Sequence, residues 1–91
     1  MKAFNRVNSH GRQYYFTELI DGATEIRTNG KAIVVAHPID RLNQSWYDWT
    51  VGHLFIQHAF DYLTADEREF LQTGITAEEW AIMFPPLKNE L

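Results

Sequence analysis

The chain has 91 residues, 45% of them hydrophobic and 14% aromatic, with 12 acidic and 8 basic side chains and a net charge of −4. That length fits one domain over residues 1–91 and leaves no room for two. The absence of cysteine excludes a disulfide framework, a thiolate zinc site and a cysteine nucleophile, and the acidic balance argues against a basic coat for nucleic acid.

A domain of this size buries about 60–65% of the surface its unfolded chain exposes. Three Trp, four Tyr and six Phe make a core feasible without staples, because each ring buries a large area. Charge divides the chain. Residues 1–45 carry six basic and four acidic groups, and residues 46–91 carry two basic and eight acidic groups. No Gly/Ser-rich linker separates the halves, so they read as two layers of one domain. Met1 to Arg6 is charged but leads into no apolar stretch, so no signal peptide is expected. No window is long and apolar enough for a membrane span. A soluble intracellular protein is the expectation.

The first half reads as strands over about 3–36. Ser9-His10-Gly11, Asp21-Gly22 and Asn29-Gly30 are turn signals. Between them lie Tyr14-Tyr15-Phe16-Thr17, Thr24–Thr28 and Ala32-Ile33-Val34-Val35, rich in aromatic and β-branched residues. Asn29-Gly30 is the strongest of these signals, since both residues tolerate the positive φ of a type I′ hairpin. An antiparallel meander of three or four strands follows.

The second half reads as helices near 46–62, 65–72 and 77–84. Ser45 with Asp48 is a weak form of the capping box, while Thr64 with Glu67 and Thr76 with Glu79 are full ones. Gly74 suits the left-handed residue that ends a helix, and Pro85-Pro86 stops the last one, leaving a tail over 88–91. As one helix, residues 46–62 are apolar on most sides apart from a polar stripe of Thr50, His53, Gln57 and Asp61. A helix of that kind is buried on most sides, which makes it the centre of the fold. The predicted class is α+β: a meander packed on a central helix, followed by a two-helix hairpin.

Most residue types able to carry chemistry have structural roles in this pattern. His53 and Asp61 share the stripe with Gln57, a poor ligand, and a third strong ligand is missing, so no metal or other cofactor is expected. His58 falls on the apolar side and reads as a core histidine, and His37-Pro38 as a structural turn. Ser45, His53 and Asp48 offer catalytic residue types without a nucleophile elbow or an oxyanion loop. The Asp66-Glu67 and Glu78-Glu79 pairs sit in first helical turns, where they complement the helix dipole. No catalytic residues are assigned, and no enzyme is expected. Trp46 falls near the polar stripe; exposed beside Arg41 it would make an interface anchor, although the C-terminal tail could equally cover it. Arg12, Tyr15, Arg27 and Lys31 lie on neighbouring strands, where aromatic rings and basic groups can hold nucleic acid.

One further signal lies in residues 52–84. Gln57-His58-Ala59-Phe60-Asp61-Tyr62-Leu63 is followed by Asp66-Glu67-Arg68-Glu69-Phe70-Leu71, then Thr73-Gly74-Ile75-Thr76, Glu78-Glu79-Trp80 and Phe84. This resembles a helical pattern of small, uncharacterised bacteriophage accessory proteins. The resemblance implies a phage-encoded protein in the cytoplasm of an infected bacterium and transfers no site residues. Together with the missing catalytic set, it predicts a non-enzymatic protein that binds and modulates a host or host-defence protein. Arg41, Trp46, His53, Gln57 and Asp61 are its expected contacts, followed by Asp66 and Glu67. The alternatives are a nucleic-acid module built on Arg12, Tyr15, Arg27 and Lys31, or a structural protein that pairs strand edges as a homodimer.

Overall fold

The structure is a computed structural model that describes residues 1–84. The predicted Pro85-Pro86 stop and the tail over 88–91 lie outside the described residues. Four strands form one antiparallel sheet in the order β1-β2-β3-β4: β1 Ala3–Val7, β2 Gln13–Glu18, β3 Thr24–Thr28 and β4 Lys31–Val35. Asn29 at φ 54° and Gly30 at φ 76° make the tight β3–β4 turn that their sequence signals. The period-2 alternation sorts the two faces. Phe4 pairs with Phe16, Phe16 with Ile26 and Ile26 with Ile33, which draws an apolar row across the inner face. Asn5, Tyr15, Arg27 and Ala32 form the matching row on the outer face.

Four helices follow: α1 Ile39–Thr50, α2 Ile56–Ala59, α3 Ala65–Thr73 and α4 Ala77–Met83. The fold is α+β with an N-terminal meander. Both full capping boxes form: the Glu67 and Glu79 amides donate to the Thr64 and Thr76 hydroxyls, and each Glu carboxylate accepts from its cap residue's amide. Gly74 ends α3 in the left-handed region at φ 74°.

The single central helix over 46–62 does not form. Helix α1 starts seven residues earlier, directly after Pro38, whose φ of −66° and extended ψ of 145° suit the residue before a helix. Asp40 in the first turn favours that start. The polar run Asp40-Arg41-Leu42-Asn43-Gln44 is therefore helical, and Ile39, Leu42 and Trp46 line its buried face. Ser45 is no cap. It lies buried within the helix, and its hydroxyl is 2.7 Å from that of Tyr62. The helix ends at Thr50 with Val51 as its cap, and the chain turns at Gly52 and His53. A side chain at Gly52 would stand 2.8 Å from the Asp48 carbonyl oxygen, and His53 adopts φ 61°. After the turn, Ile56, Ala59 and Phe60 enter the core.

That core is aromatic. Trp46 sits at its middle, with ring centroids 5.4 Å from Tyr14, 5.5 Å from Phe16 and 5.0 Å from Trp49. Asn8, buried in the β1–β2 turn, ties the sheet to α3. Its side-chain oxygen Oδ1 accepts from the His10 and Arg12 amides, and its side-chain Nδ2 donates to the Leu71 and Gln72 carbonyls. Among the described residues, no helix is long and apolar enough to cross a membrane.

Candidate functional site

The expected binding residues scatter. Trp46 is 2% exposed and forms part of the core, so it cannot be an interface anchor. The early start of α1 is the reason, because it puts Trp46 in phase with Ile39 and Leu42. Arg41 is exposed, but its guanidinium lies 3.7 Å above the Tyr62 ring. Burial raises the Tyr62 phenol above its ordinary value, against the lowering effects of its hydrogen bond to Ser45 and of Arg41. His53, Gln57 and Asp61 are all exposed but share no helical stripe: His53 makes the turn, Gln57 is in α2 and Asp61 follows it. His58 is exposed beside Phe55, at 6.0 Å between rings, and is no core histidine. His37 is structural. Its carbonyl accepts from the Thr24 hydroxyl, and its ring stands edge-on to Tyr62. Among the described residues, no three His, Asp or Glu side chains gather where a metal ion could sit.

Breaking the central helix creates a surface that the sequence reading placed in the core. Tyr47, Val51, Leu54 and Phe55 are 57%, 56%, 44% and 69% exposed. They fall within nine consecutive residues at the corner between α1 and α2, with His53, Gln57 and His58 as polar neighbours. The Gly52 and Leu54 amides donate to the Tyr47 and Asp48 carbonyls, which pins the corner to the end of α1. A shallow groove of about 300 Å³ runs from Tyr47 and Val51 to Arg6 and Val7 on β1. Exposed rings and branched chains on a hydrogen-bonded scaffold are what a protein interface uses.

The basic and aromatic residues of the first half divide. Tyr15 and Arg27 are cross-strand partners on the outer face, both exposed. Arg12 lies at the rim of an open groove of about 840 Å³ together with His10, Gln13, Tyr15, Asn29 and Thr73. No carboxylate lines this groove. Lys31 belongs to neither surface. Its ammonium donates to the Gly74 carbonyl at 3.1 Å and pairs with Glu79 at 3.0 Å. The Thr76 amide, and then Lys31, hold the Glu79 carboxyl below its ordinary range.

Asp66 and Glu67 line a third surface, a groove of about 400 Å³ between β4 and the first turns of α3 and α4. Ala32, Ile33 and Val34 form one side, and Phe70 and Glu78 lie opposite with the two acids. Glu67 is engaged in its capping box, whereas Asp66 and Glu78 are exposed. Comparison with known proteins returns no match: no family model fits the chain, and no curated protein and no solved structure resembles it significantly.

Proposed function

We propose that this chain is a non-enzymatic binding protein that docks on another protein and modulates it. The resemblance of residues 52–84 adds a phage-encoded origin, with a host or host-defence protein as the target in the infected bacterium. The observation that supports this reading is the exposed apolar corner of Tyr47, Val51, Leu54 and Phe55. Residues of this type are left in water at a cost of about 25 cal/mol per Å² of apolar surface. A partner with an apolar cleft recovers that free energy, and His53 and Gln57 supply polar contacts at the rim.

The test is capture from bacterial lysate by the tagged chain and by the double variant Leu54→Ser/Phe55→Ser, with and without nuclease. The variant should keep its folding stability within about 0.5 kcal/mol, because both side chains lie on the surface. The expected result is a stoichiometric protein that survives nuclease and is lost with the variant. Equal capture by both forms would rule out the corner.

A second reading has its own observation. The Tyr15–Arg27 pair and the carboxylate-free groove around Arg12 can hold single-stranded nucleic acid by stacking and phosphate contact. The nuclease arm separates the two readings, since material released by nuclease favours this one.

A further inference from the structure

The two edges of the sheet differ. On β1, the Glu18 amide donates to the Lys2 carbonyl and the Asn8 amide to the Arg12 carbonyl. The alternation of an antiparallel ladder therefore turns the backbone groups of Ala3, Asn5 and Val7 outward. Two of those carbonyls are taken: Asn5 accepts from the Arg6 guanidinium at 2.7 Å, and Val7 from the Trp46 indole at 3.4 Å. On β4, Thr28 and Lys31 flank a two-residue turn and form its hydrogen-bonded pair. The amides and carbonyls of Ala32 and Val34 then point away from β3. Among the described residues, they bond to nothing outside the strand.

Edge strands are ordinarily blunted by a charge, a proline or a bulge. Beyond Lys31, whose ammonium is held by Glu79 and Gly74, β4 reads Ala32-Ile33-Val34-Val35 and has no such device. Its open edge looks into the groove that carries Asp66 and Glu78 on the opposite wall, and no basic side chain lines that groove. Neither Asp66 nor Glu78 makes an ion pair among the described residues.

We infer that the β4 edge docks an extended, basic segment of a protein partner as a fifth strand. Its backbone pairs with Ala32 and Val34, and alternate lysine or arginine side chains face Asp66 and Glu78. This inference rests on the protein-binding reading above and specifies the partner's chemistry. Main-chain hydrogen bonds supply affinity in such an addition, and the alternate side chains supply specificity. A second copy of this chain fits poorly, because pairing β4 with β4 sets two acidic walls on the same side of the joined sheet.

The probe is a capped hexapeptide alternating lysine and valine, titrated into the isotope-labelled chain. Two controls accompany it: the same peptide with glutamate in place of lysine, and the lysine peptide N-methylated along one edge. Amide exchange at Ala32 and Val34 should slow by about tenfold or more with the unmethylated basic peptide alone. Val34→Pro removes the outward amide and leaves the ladder to β3 intact, so it should abolish binding. Should that variant fail to fold, Asp66→Lys/Glu78→Lys provides the second arm and should weaken binding by about tenfold.

Equal protection by the acidic peptide, or no protection by any peptide, would overturn the inference. So would slow exchange at these two amides in the chain alone, which means the edge is already covered. Leu54→Ser/Phe55→Ser should bind the peptide normally. If the peptide fails while that variant still loses its captured protein, the inference falls and the protein-binding reading stands.

Discussion

Trp46 and Tyr47 are neighbours in sequence with opposite fates, one in the core and the other 57% exposed. Composition cannot separate them; only the phase of the helix does. Tyr14 shows what burial does to a single group. It is fully buried and donates to the Phe70 carbonyl at 2.6 Å. Burial pushes its phenol up from 10.0 to about 12, with Arg12 opposing the rise. The folded state thus holds this proton more tightly than the unfolded state does. The resulting stability is fully present below pH 10 and is lost as pH rises from there toward 12. The loss is on the order of 2–3 kcal/mol, from linkage of about 1.4 kcal/mol per pH unit. Tyr62, raised in the same direction, adds to it. Denaturant melts across that range should show the decline. Tyr14→Phe should flatten much of it while lowering stability at neutral pH by about 0.5–1.5 kcal/mol, since the Phe70 carbonyl loses the phenol as a donor and keeps the Gly74 amide.

At the scale of elements, the break between α1 and α2 matters most. A continuous helix over 46–62 would keep every backbone bond but leave an apolar cylinder with little surface to cover it. The chain breaks where interruption is cheapest. Glycine is about 1 kcal/mol worse than alanine in a helix, and at Gly52 a side chain would press on the Asp48 carbonyl oxygen at 2.8 Å. Gly52→Ala should therefore destabilise by about 1–3 kcal/mol. His53 bears a left-handed φ of 61°, which Asn tolerates better and β-branched residues tolerate poorly. His53→Asn should be neutral or stabilising by up to about 1 kcal/mol, and His53→Val destabilising by about 1–2 kcal/mol. Thermal melts of the three variants check this order, and a destabilised His53→Asn would count against strain at the turn.

For the molecule as a whole, the uneven treatment of the sheet edges has a consequence for assembly. One edge has two of its outward carbonyls occupied by Arg6 and Trp46, and the other opens onto an acidic groove. An open apolar edge ordinarily invites self-pairing. Here the net charge of −4 and the carboxylates beside β4 oppose it. Sedimentation equilibrium at moderate salt should give a 10.7 kDa monomer. High salt should promote weak association, because it screens the repulsion between acidic walls. A stable dimer at low salt would contradict this electrostatic account.

Local chemistry was legible without the fold. The Asn29-Gly30 turn, the Thr64 and Thr76 capping boxes, the Gly74 stop and the strand alternation each depend on residues close in sequence. The α+β class follows from them. The interaction surfaces were not legible, because each depends on which apolar side chains the tertiary structure could cover. Tyr47, Val51, Leu54 and Phe55 have the same hydrophobic character as the residues that became core. The amino-acid sequence by itself determined where the strand turns and the starts of α3 and α4 fall, since short-range hydrogen bonds and backbone sterics decide those; the start of α1 and the turn at Gly52 and His53 were set by packing. Only the tertiary structure decided that Trp46 is buried, that the corner is exposed and that β4 keeps an open edge beside Asp66 and Glu78. Packing a limited inner face leaves some apolar residues out, and which ones is a property of the whole chain.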